Sequence, residues 1–484
     1  MNYLELIRLA LPEIVVTATA LLVLSFGLMK SRSATVSVIF SAFGLALAAV
    51  CVLRLPAHAS FGGGMLVVTP LISLFKLICL ALAFCTVLLA RVGRFTRHHG
   101  EYFALLLLAT LGLLLLVGSE ELLMIFIGLE LTGLSLYVLT AFAKHDPHSA
   151  EAGLKYFLFG GTASAFTLFG LSLVYGMAGT TGLAAIGEKL ADQPASPLLV
   201  VGIAMTLIGF AFKIAAAPFH LWAPDTYQAA PTPSAAFIAS GSKVAAFFVL
   251  GKVVLVGFAP LQGSAGWHAL LPGWAPLLAT LSALSIVIGN LAALAQSNVR
   301  RLLAYSAVAH AGYTLLGLVA GGSDGFSATL FYTTIYAVSL IGAFGVIGLV
   351  RSFTGGDDFR HFAGLSARSP VLAAVMTIFI LSLAGLPPLA GFFGKFYLFR
   401  AAFGMGANHN LLWLVALALL GSLVSLYYYL KILKAIFVAE PGAASARIEL
   451  TLVEDFVFAL LAATTLFLGI MPGFLLERIL AALS

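Results

Sequence analysis

Long apolar runs, each the length of a membrane-crossing helix, follow one another from end to end of this chain, separated only by short polar or Gly/Pro-rich punctuation. A spanning helix needs roughly 20 such residues. One run of that kind could be a buried core helix. A whole series of them leaves the bilayer as the solvent that fits. Composition agrees: 9% of the 484 residues are charged, 61% are hydrophobic, and the mean hydropathy is +1.09. Soluble domains carry about 25% charged residues, and a disordered chain lacks this much apolar mass. No alternating ten-residue pattern recurs, so strands are not expected. The expectation is an all-α polytopic membrane protein with no sizeable soluble domain.

The runs divide into about fourteen spans: 4–28, 34–54, 68–90, 101–118, 120–142, 151–177, 197–221, 232–259, 273–295, 299–320, 325–351, 369–400, 410–437 and 452–475. Met1 to Lys30 lacks a basic leader and is long enough to be the first span rather than a cleaved signal. Fourteen lysines and arginines, among them Lys30, Arg32 and Arg94, follow odd-numbered spans; only Arg54, Lys189 and Arg400 follow even-numbered ones. That bias puts odd-numbered loops in the cytoplasm and both termini outside. It also accounts for the net charge of +6 without a nucleic-acid partner, since the cations form no basic face. Cys51, Cys79 and Cys85 make no CxxC pair, which suggests neither a metal cluster nor a disulfide framework. HDPH at 145–148 reads as a turn, and FGGGM at 61–65 as a loop without a phosphate-binding frame.

Six lysines lie inside the runs: Lys76, Lys155, Lys213, Lys243, Lys252 and Lys395. Glu130 sits mid-run, Glu13 is shallower, and His220 and His310 are at membrane depth. An ionisable group at the bilayer centre costs from about 2.5 to more than 10 kcal/mol, so a cluster of them demands pairing or a hydrated path. Two spans are also interrupted by proline. Span 7 reads FKIAAAPFHLWAPD, with Lys213 before Pro218; span 12 reads LAGLPPLAGFFGKF, with Pro387 and Pro388 before Lys395. Proline frees a carbonyl, which is tolerated at membrane depth only where protein or water satisfies it. Broken helices in corresponding halves point to an ion site. Here they correspond: spans 4–8 and 9–13 form two five-helix units, and 182 residues separate Lys213 from Lys395, against 180 between Glu130 and His310. Because five is odd, consecutive copies must be inverted. The units are then a three-helix segment at 1–100, a first channel unit at 101–260, a second at 261–440 and a terminal helix at 441–484.

These positions suggest proton handling. Glu130 reads as a carboxylate whose charge switches with its surroundings, or as half of a static pair. Lys213 reads as a proton holder beside Glu130, with snorkelling as the alternative. His220 shares its face if the helix continues, and suits a relay or a fixed hydrogen bond. Lys243 is a central carrier that Ser240, at i−3, could bond. His310 shares a face with Ser306 and Tyr313 and suits a relay, and Lys395 is the exit-side carrier. Lys155 could pair with Glu130 or simply with Glu151. Lys76, Lys252 and Glu13 are left structural.

Together GLELTGLSLYVL, EAGLKYFLF, FKIAAAPFHLWAPDTYQAAPTPSAAFIASGSK, SNVRRLLAYSAVAHAGY, LAGLPPLAGFFGKFYLF and GSLVSLYYYLK resemble the antiporter-like subunits of respiratory complex I, over nearly the whole chain and most specifically over 120–400. The N-type is the nearer likeness: Lys395 stands where the M-type carries a glutamate, PFHLWAPDTYQAAPTP is N-like, and the chain ends soon after span 14, without the L-type's long lateral helix. The resemblance implies a proton-translocating subunit of NADH-quinone oxidoreductase in the bacterial inner membrane, with periplasmic termini. It implies no redox cofactor in this chain. FMN, Fe–S clusters and quinone belong to partner subunits, and the neighbours are quinone-module and antiporter-like membrane subunits in a hetero-oligomer. The key positions it implies are Glu130, Lys213, Lys243 and Lys395, with His220 and Lys155 as supports. The family is also similar to subunits of multi-subunit Na+/H+ antiporters and membrane-bound hydrogenases, which are the alternative reading.

Overall fold

The computed structural model describes residues 3–29, 34–91, 96–191, 196–404, 411–440 and 447–483. Lys30, Arg32 and Arg94, counted above for orientation, lie outside these. In chain order the helices are α1 (Tyr3–Leu9), α2 (Leu11–Leu28), α3 (Ala34–Leu53), α4 (Pro70–Ala90), α5 (His99–Val117), α6 (Leu122–Thr140), α7 (Pro147–Ala178), α8 (Leu183–Ala191), α9 (Pro197–Lys213), α10 (Trp222–Ala229), α11 (Thr232–Ala239), α12 (Gly241–Lys252), α13 (Trp274–Leu294), α14 (Val299–Ala320), α15 (Gly322–Thr354), α16 (Leu365–Arg368), α17 (Pro370–Ala384), α18 (Ala390–Gly404), α19 (Leu412–Phe437), α20 (Leu452–Ile470) and α21 (Gly473–Leu483).

Among the described residues, twelve helices are long and apolar enough to cross a membrane: α2 to α7, the α11–α12 rod through Gly257, α13 to α15, α19 and α20. Two further apolar helices are shorter, α9 and α17. These are the leading halves of the two spans that proline interrupts. The starts follow from local chemistry. Ser196, Asn298 and Thr451 accept the orphan amides of α9, α14 and α20, and Thr451 forms a reciprocal capping box with Glu454.

Three features depart from expectation. Two short antiparallel hairpins do form, Ala59–Phe61 with Leu66–Val68 and Ser264–Gly266 with Ala269–Leu271, and FGGGM makes the turn of the first. They sit in connections, where paired backbone needs no lipid. The first span divides at Ala10 into α1 and α2, and the last divides between Ile470 and Gly473. Span 8 is broken at Ser240 and ends in a π-helical turn, Val253–Gly257.

Loop ends sort onto two sides. Arg91, Asp146, Arg351 and Glu449, which follow spans 3, 5, 11 and 13, line one cavity. On the opposite side the turn after α5 meets the turn after α7 through a Glu121–Gly182 bridge, and Glu120 meets Lys252. Burial grades across the bundle. α11–α12, α14 and α15 are almost wholly enclosed, while α2, α3 and α7 show most of their surface. The enclosed helices are the ones that carry Lys243 and His310.

Candidate functional site: a buried row of lysines, histidines and tyrosines

The first break fixes Lys213 at the last turn of α9. Beyond it the backbone is satisfied by protein. Ile214 and Ala216 amides reach Phe210 and Ala211 carbonyls, the Ala217 amide donates to Ser285 Oγ at 2.8 Å, and Trp222 Nε1 donates to the Phe212 carbonyl. Ala215 adopts a positive φ of 58°, a conformation that costs a non-glycine residue about 1–2 kcal/mol and persists only where its surroundings impose it. The helix does not continue past Pro218, so Lys213 and His220 are not on one helical face. His220 lies in the connection, buried, with its Nδ1 unpartnered and its ring edge-on to Tyr305.

Glu130 and Lys213 are not in direct ionic contact. Glu130 Oε1 accepts from Ser164 Oγ at 2.5 Å, and Lys213 Nζ points to the Leu129 carbonyl at 3.5 Å. Both line one small cavity of about 20 Å³, with Ser164, Tyr137 and Thr167. A single water needs about 10–15 Å³, so the cavity accommodates one water between them. Glu130 is half-buried on a stripe of α6 whose other members, Leu123, Ile127, Leu134 and Val138, are exposed. Lys155 does not reach Glu130. It pairs with Glu151 at 2.7 Å and with Asp225 at 2.8 Å.

Lys243 is buried at the start of α12. Ser240 does not hold it, because the chain breaks there and Ser240 Oγ donates to the Ala236 carbonyl. Lys243 Nζ instead donates to the Ala307 carbonyl of α14 at 2.8 Å and lies 5.6 Å from the Tyr336 ring centre. Tyr336 packs on His310, ring centres 4.9 Å apart. His310 is clamped by two phenols, Nδ1 to Tyr332 at 2.6 Å and Nε2 to Tyr429 at 2.9 Å. Ser306, on the face expected of it, bonds the same Tyr429 hydroxyl. Tyr313 meets the His310 ring edge-on at 5.7 Å, and Lys395 lies 5.2 Å from the Tyr313 ring centre. Lys243, Tyr336, His310, Tyr313 and Lys395 therefore form an unbroken row of contacts.

Lys395 caps the second break. Its Nζ donates to the Ala384 carbonyl, which the break frees, and to Ser422 Oγ, both at 2.9 Å. Gly385 turns the chain at φ 85°, and any side chain on it would press on the Lys395 stem.

Sequence reasoning singled out Tyr313 but missed Tyr332, Tyr336 and Tyr429, because an aromatic in an apolar helix reads as core. It also missed Asp225, which joins Lys155 to Arg301 at 2.6 Å and so ties α7 and α10 to α14. Arg300, one of the fourteen cations assigned to loops after odd-numbered spans, is buried in the first turn of α14 against Asp357. The three residues left as structural are paired: Lys76 with Glu13 and Lys252 with Glu120, both at 2.6 Å.

The comparisons agree on one family. Residues 119–424 match the model described as NADH:quinone oxidoreductase/Mrp antiporter, TM. NADH-quinone oxidoreductase subunit N 2 of Acidobacterium capsulatum is 46% identical, over 98% of this chain and 99% of that one. A chain of respiratory complex I from Thermus thermophilus superposes with a TM-score of 0.79 at 34% identity, covering 96% and 98% of the two chains. A chain of the Mrp complex from Dietzia sp. shares the fold at 22% identity, with a TM-score of 0.85 over 100% and 97%. By sequence over its full length and by fold, this chain belongs to the antiporter-like membrane subunits of respiratory complex I, in the subunit N family of NADH-quinone oxidoreductase.

Proposed function

We propose that the buried row is a lateral proton path, driven by quinone reduction in partner subunits. In this reading the two proline-broken spans also cross the bilayer, which makes fourteen crossings with inverted units at spans 4–8 and 9–13. The cation-rich side is cytoplasmic and both termini are periplasmic, in a bacterial inner membrane. Protons enter the first unit near Lys213, with His220 and Lys155 in support. They pass through Lys243 and His310 to Lys395 and leave outside through the second unit.

The observation that carries this reading is the contact row from Lys243 to Lys395, in which each neighbour can hold or hand on a proton. An ammonium gives up a proton, an imidazole nitrogen takes it, and a phenol accepts one while releasing its own. Glu130 sets the charge state of Lys213 through the small cavity they share, rather than by a direct ion pair. Moving one charge against 100 mV takes about 2.3 kcal/mol, an amount that rearranging a buried charge pair supplies. This chain would hold no redox cofactor, leaving FMN, Fe–S clusters and quinone to its partners. The exposed stripe around Glu130 is where a neighbouring membrane subunit would cover a carboxylate that lipid solvates poorly.

The test is proton pumping by the assembled complex. Lys213→Ala and Glu130→Ala should each abolish quinone-coupled pumping while the complex still assembles. Wild-type pumping by either assembled variant overturns the reading. Purification decides the alternative: iron–sulfur and flavin subunits accompany a complex I subunit, and small antiporter subunits accompany a Na+/H+ antiporter.

A further inference from the structure

A cavity of about 780 Å³ opens where the loop ends after spans 3, 5, 11 and 13 converge. Its wall draws on all four segments of the sequence reading: the end of α4, the α10–α11 turn, the last turns of α15 and the start of α20. No residue of the buried row lines it, so the proton path leaves it without a role. Roughly 300–1,000 Å³ is the size of a site that takes a small ligand.

The two ends of the cavity differ in chemistry. Toward the bundle interior the wall is Ala236, Phe344 and Gly345, and the Thr86 hydroxyl beside them already donates to the Leu82 carbonyl at 2.8 Å. Water finds no partner on such a floor. At the mouth stand Arg91, Asp146, Arg351 and Glu449. Phe344 and Arg351 lie on one helix, ~10 Å apart at 1.5 Å per residue. Arg91 and Glu449 are exposed, and neither forms an ion pair among the described residues. Arg351 has one contact, at 3.2 Å, to an Asp357 oxygen that Arg300 also holds. Asp146 spends only Oδ1, in capping α7. Glu454, also in the wall, is spent in the capping box of α20.

We infer that this cavity holds one zwitterionic phospholipid with a primary-amine headgroup, a phosphatidylethanolamine. Its phosphate lies between Arg91 and Arg351, its ammonium donates to Glu449 and Asp146, and one acyl chain runs along α15 to Phe344. A guanidinium presents a planar fork that bonds phosphate oxygens two at a time. An ammonium brings three N–H donors to the carboxylates. A trimethylammonium headgroup has no such donor, and a glycerol headgroup has no cation. Two arginines face two carboxylates at the mouth, so a lipid without net charge balances it better than an anionic one. A protein helix laid in the same place would cover the apolar wall but bring no phosphate to the arginines. Seated there, the lipid joins α4, α11, α15 and α20 as a structural component of the chain.

The test uses the whole complex in vesicles that contain phosphatidylethanolamine with a photoactivatable group on its acyl chain. After illumination, adducts are mapped by peptide mass spectrometry. They should fall on the stretch of α15 around Phe344 and Gly345. Unlabelled phosphatidylethanolamine should compete about fivefold better than phosphatidylcholine or phosphatidylglycerol, the worth of an exposed ion pair. Arg91→Gln/Arg351→Gln should lower the adduct about tenfold through lost charge-assisted bonds. Arg351 also touches Asp357, so if that variant does not assemble, Glu449→Gln decides: it should keep the adduct and lose the preference over phosphatidylglycerol. Equal competition by all three lipids on the wild-type complex overturns the inference, as does a wild-type adduct and preference in the variants. So does the absence of an adduct there, or a cross-link at α15 from a neighbouring subunit, which would show that protein fills the cavity.

Discussion

Lys243 is held by the Ala307 carbonyl, 2.8 Å away on a different helix, and not by any group of its own helix. α12 belongs to the first five-helix unit of the sequence reading and α14 to the second, so the central cation sits on the seam. It has one carbonyl and one tyrosine face as partners, and no carboxylate lies within ion-pair distance among the described residues. That is an expensive place for an ammonium.

Lys243→Met should therefore separate stability from function. Pumping should be lost, while thermal unfolding of the assembled complex is unchanged or shifted upward by the equivalent of about 1 kcal/mol, because an apolar side chain of similar length replaces a poorly compensated charge. A markedly lower unfolding temperature would show that the lysine is there for structure.

His310→Phe should have the opposite signature. It keeps a ring but leaves the Tyr332 and Tyr429 hydroxyls without the partners they now have at 2.6 and 2.9 Å. Tyr429 keeps its bond to Ser306, but the orphaned Tyr332 hydroxyl costs about 1–3 kcal/mol. The variant should be both less stable and deficient in pumping, and denaturant titration alongside vesicle acidification measures the two. His310→Gln, which retains polar atoms, should recover part of the stability and none of the relay.

The Glu13–Lys76 pair is buried on both sides, in α2 and α4. Removing one partner strands the other charge, at a cost of about 3–5 kcal/mol, whereas replacing both with apolar residues is near neutral. Glu13→Ala should impair assembly, as seen in native gels. Glu13→Leu/Lys76→Met should assemble and pump at the wild-type ratio, since neither residue touches the row.

Asp225 lies outside the spans. Burial pushes its carboxyl upward, but hydrogen bonds from Lys155 and Arg301 outweigh that and hold it below the ordinary carboxylate value. A depressed carboxylate stabilises fully above its unfolded pKa, about 3.9, and loses that contribution as pH falls through the folded value. The clamp of α7 and α10 to α14 should thus be constant from pH 6 to 8 and weaken only below about pH 4. Asp225→Asn should lower stability modestly at neutral pH, because the site is partly exposed, and remove the acid-side decline from the wild-type stability profile.

The sequence alone determined the solvent. Apolar run length, the scarcity of charge and the one-sided loop cations required a helical membrane bundle, because hydrocarbon admits only backbone that satisfies itself. It also singled out candidates: Glu130, Lys213, Lys243, His310 and Lys395 stand out because charge at membrane depth is costly enough to need a reason. The prolines located both broken spans. Only tertiary structure decided the partners. Ser240 looked like the neighbour of Lys243 on a continuous helix, but the helix breaks there and Ala307 takes its place. Lys155 had two carboxylates in reach on paper, and folding added Asp225 from 70 residues away. Of the tyrosines that link Lys243 to Lys395, Tyr313 showed on the His310 face, but Tyr336 was invisible because phenols and core rings look alike in a sequence. Period and composition are properties of one helix, whereas a proton path is made of contacts between helices.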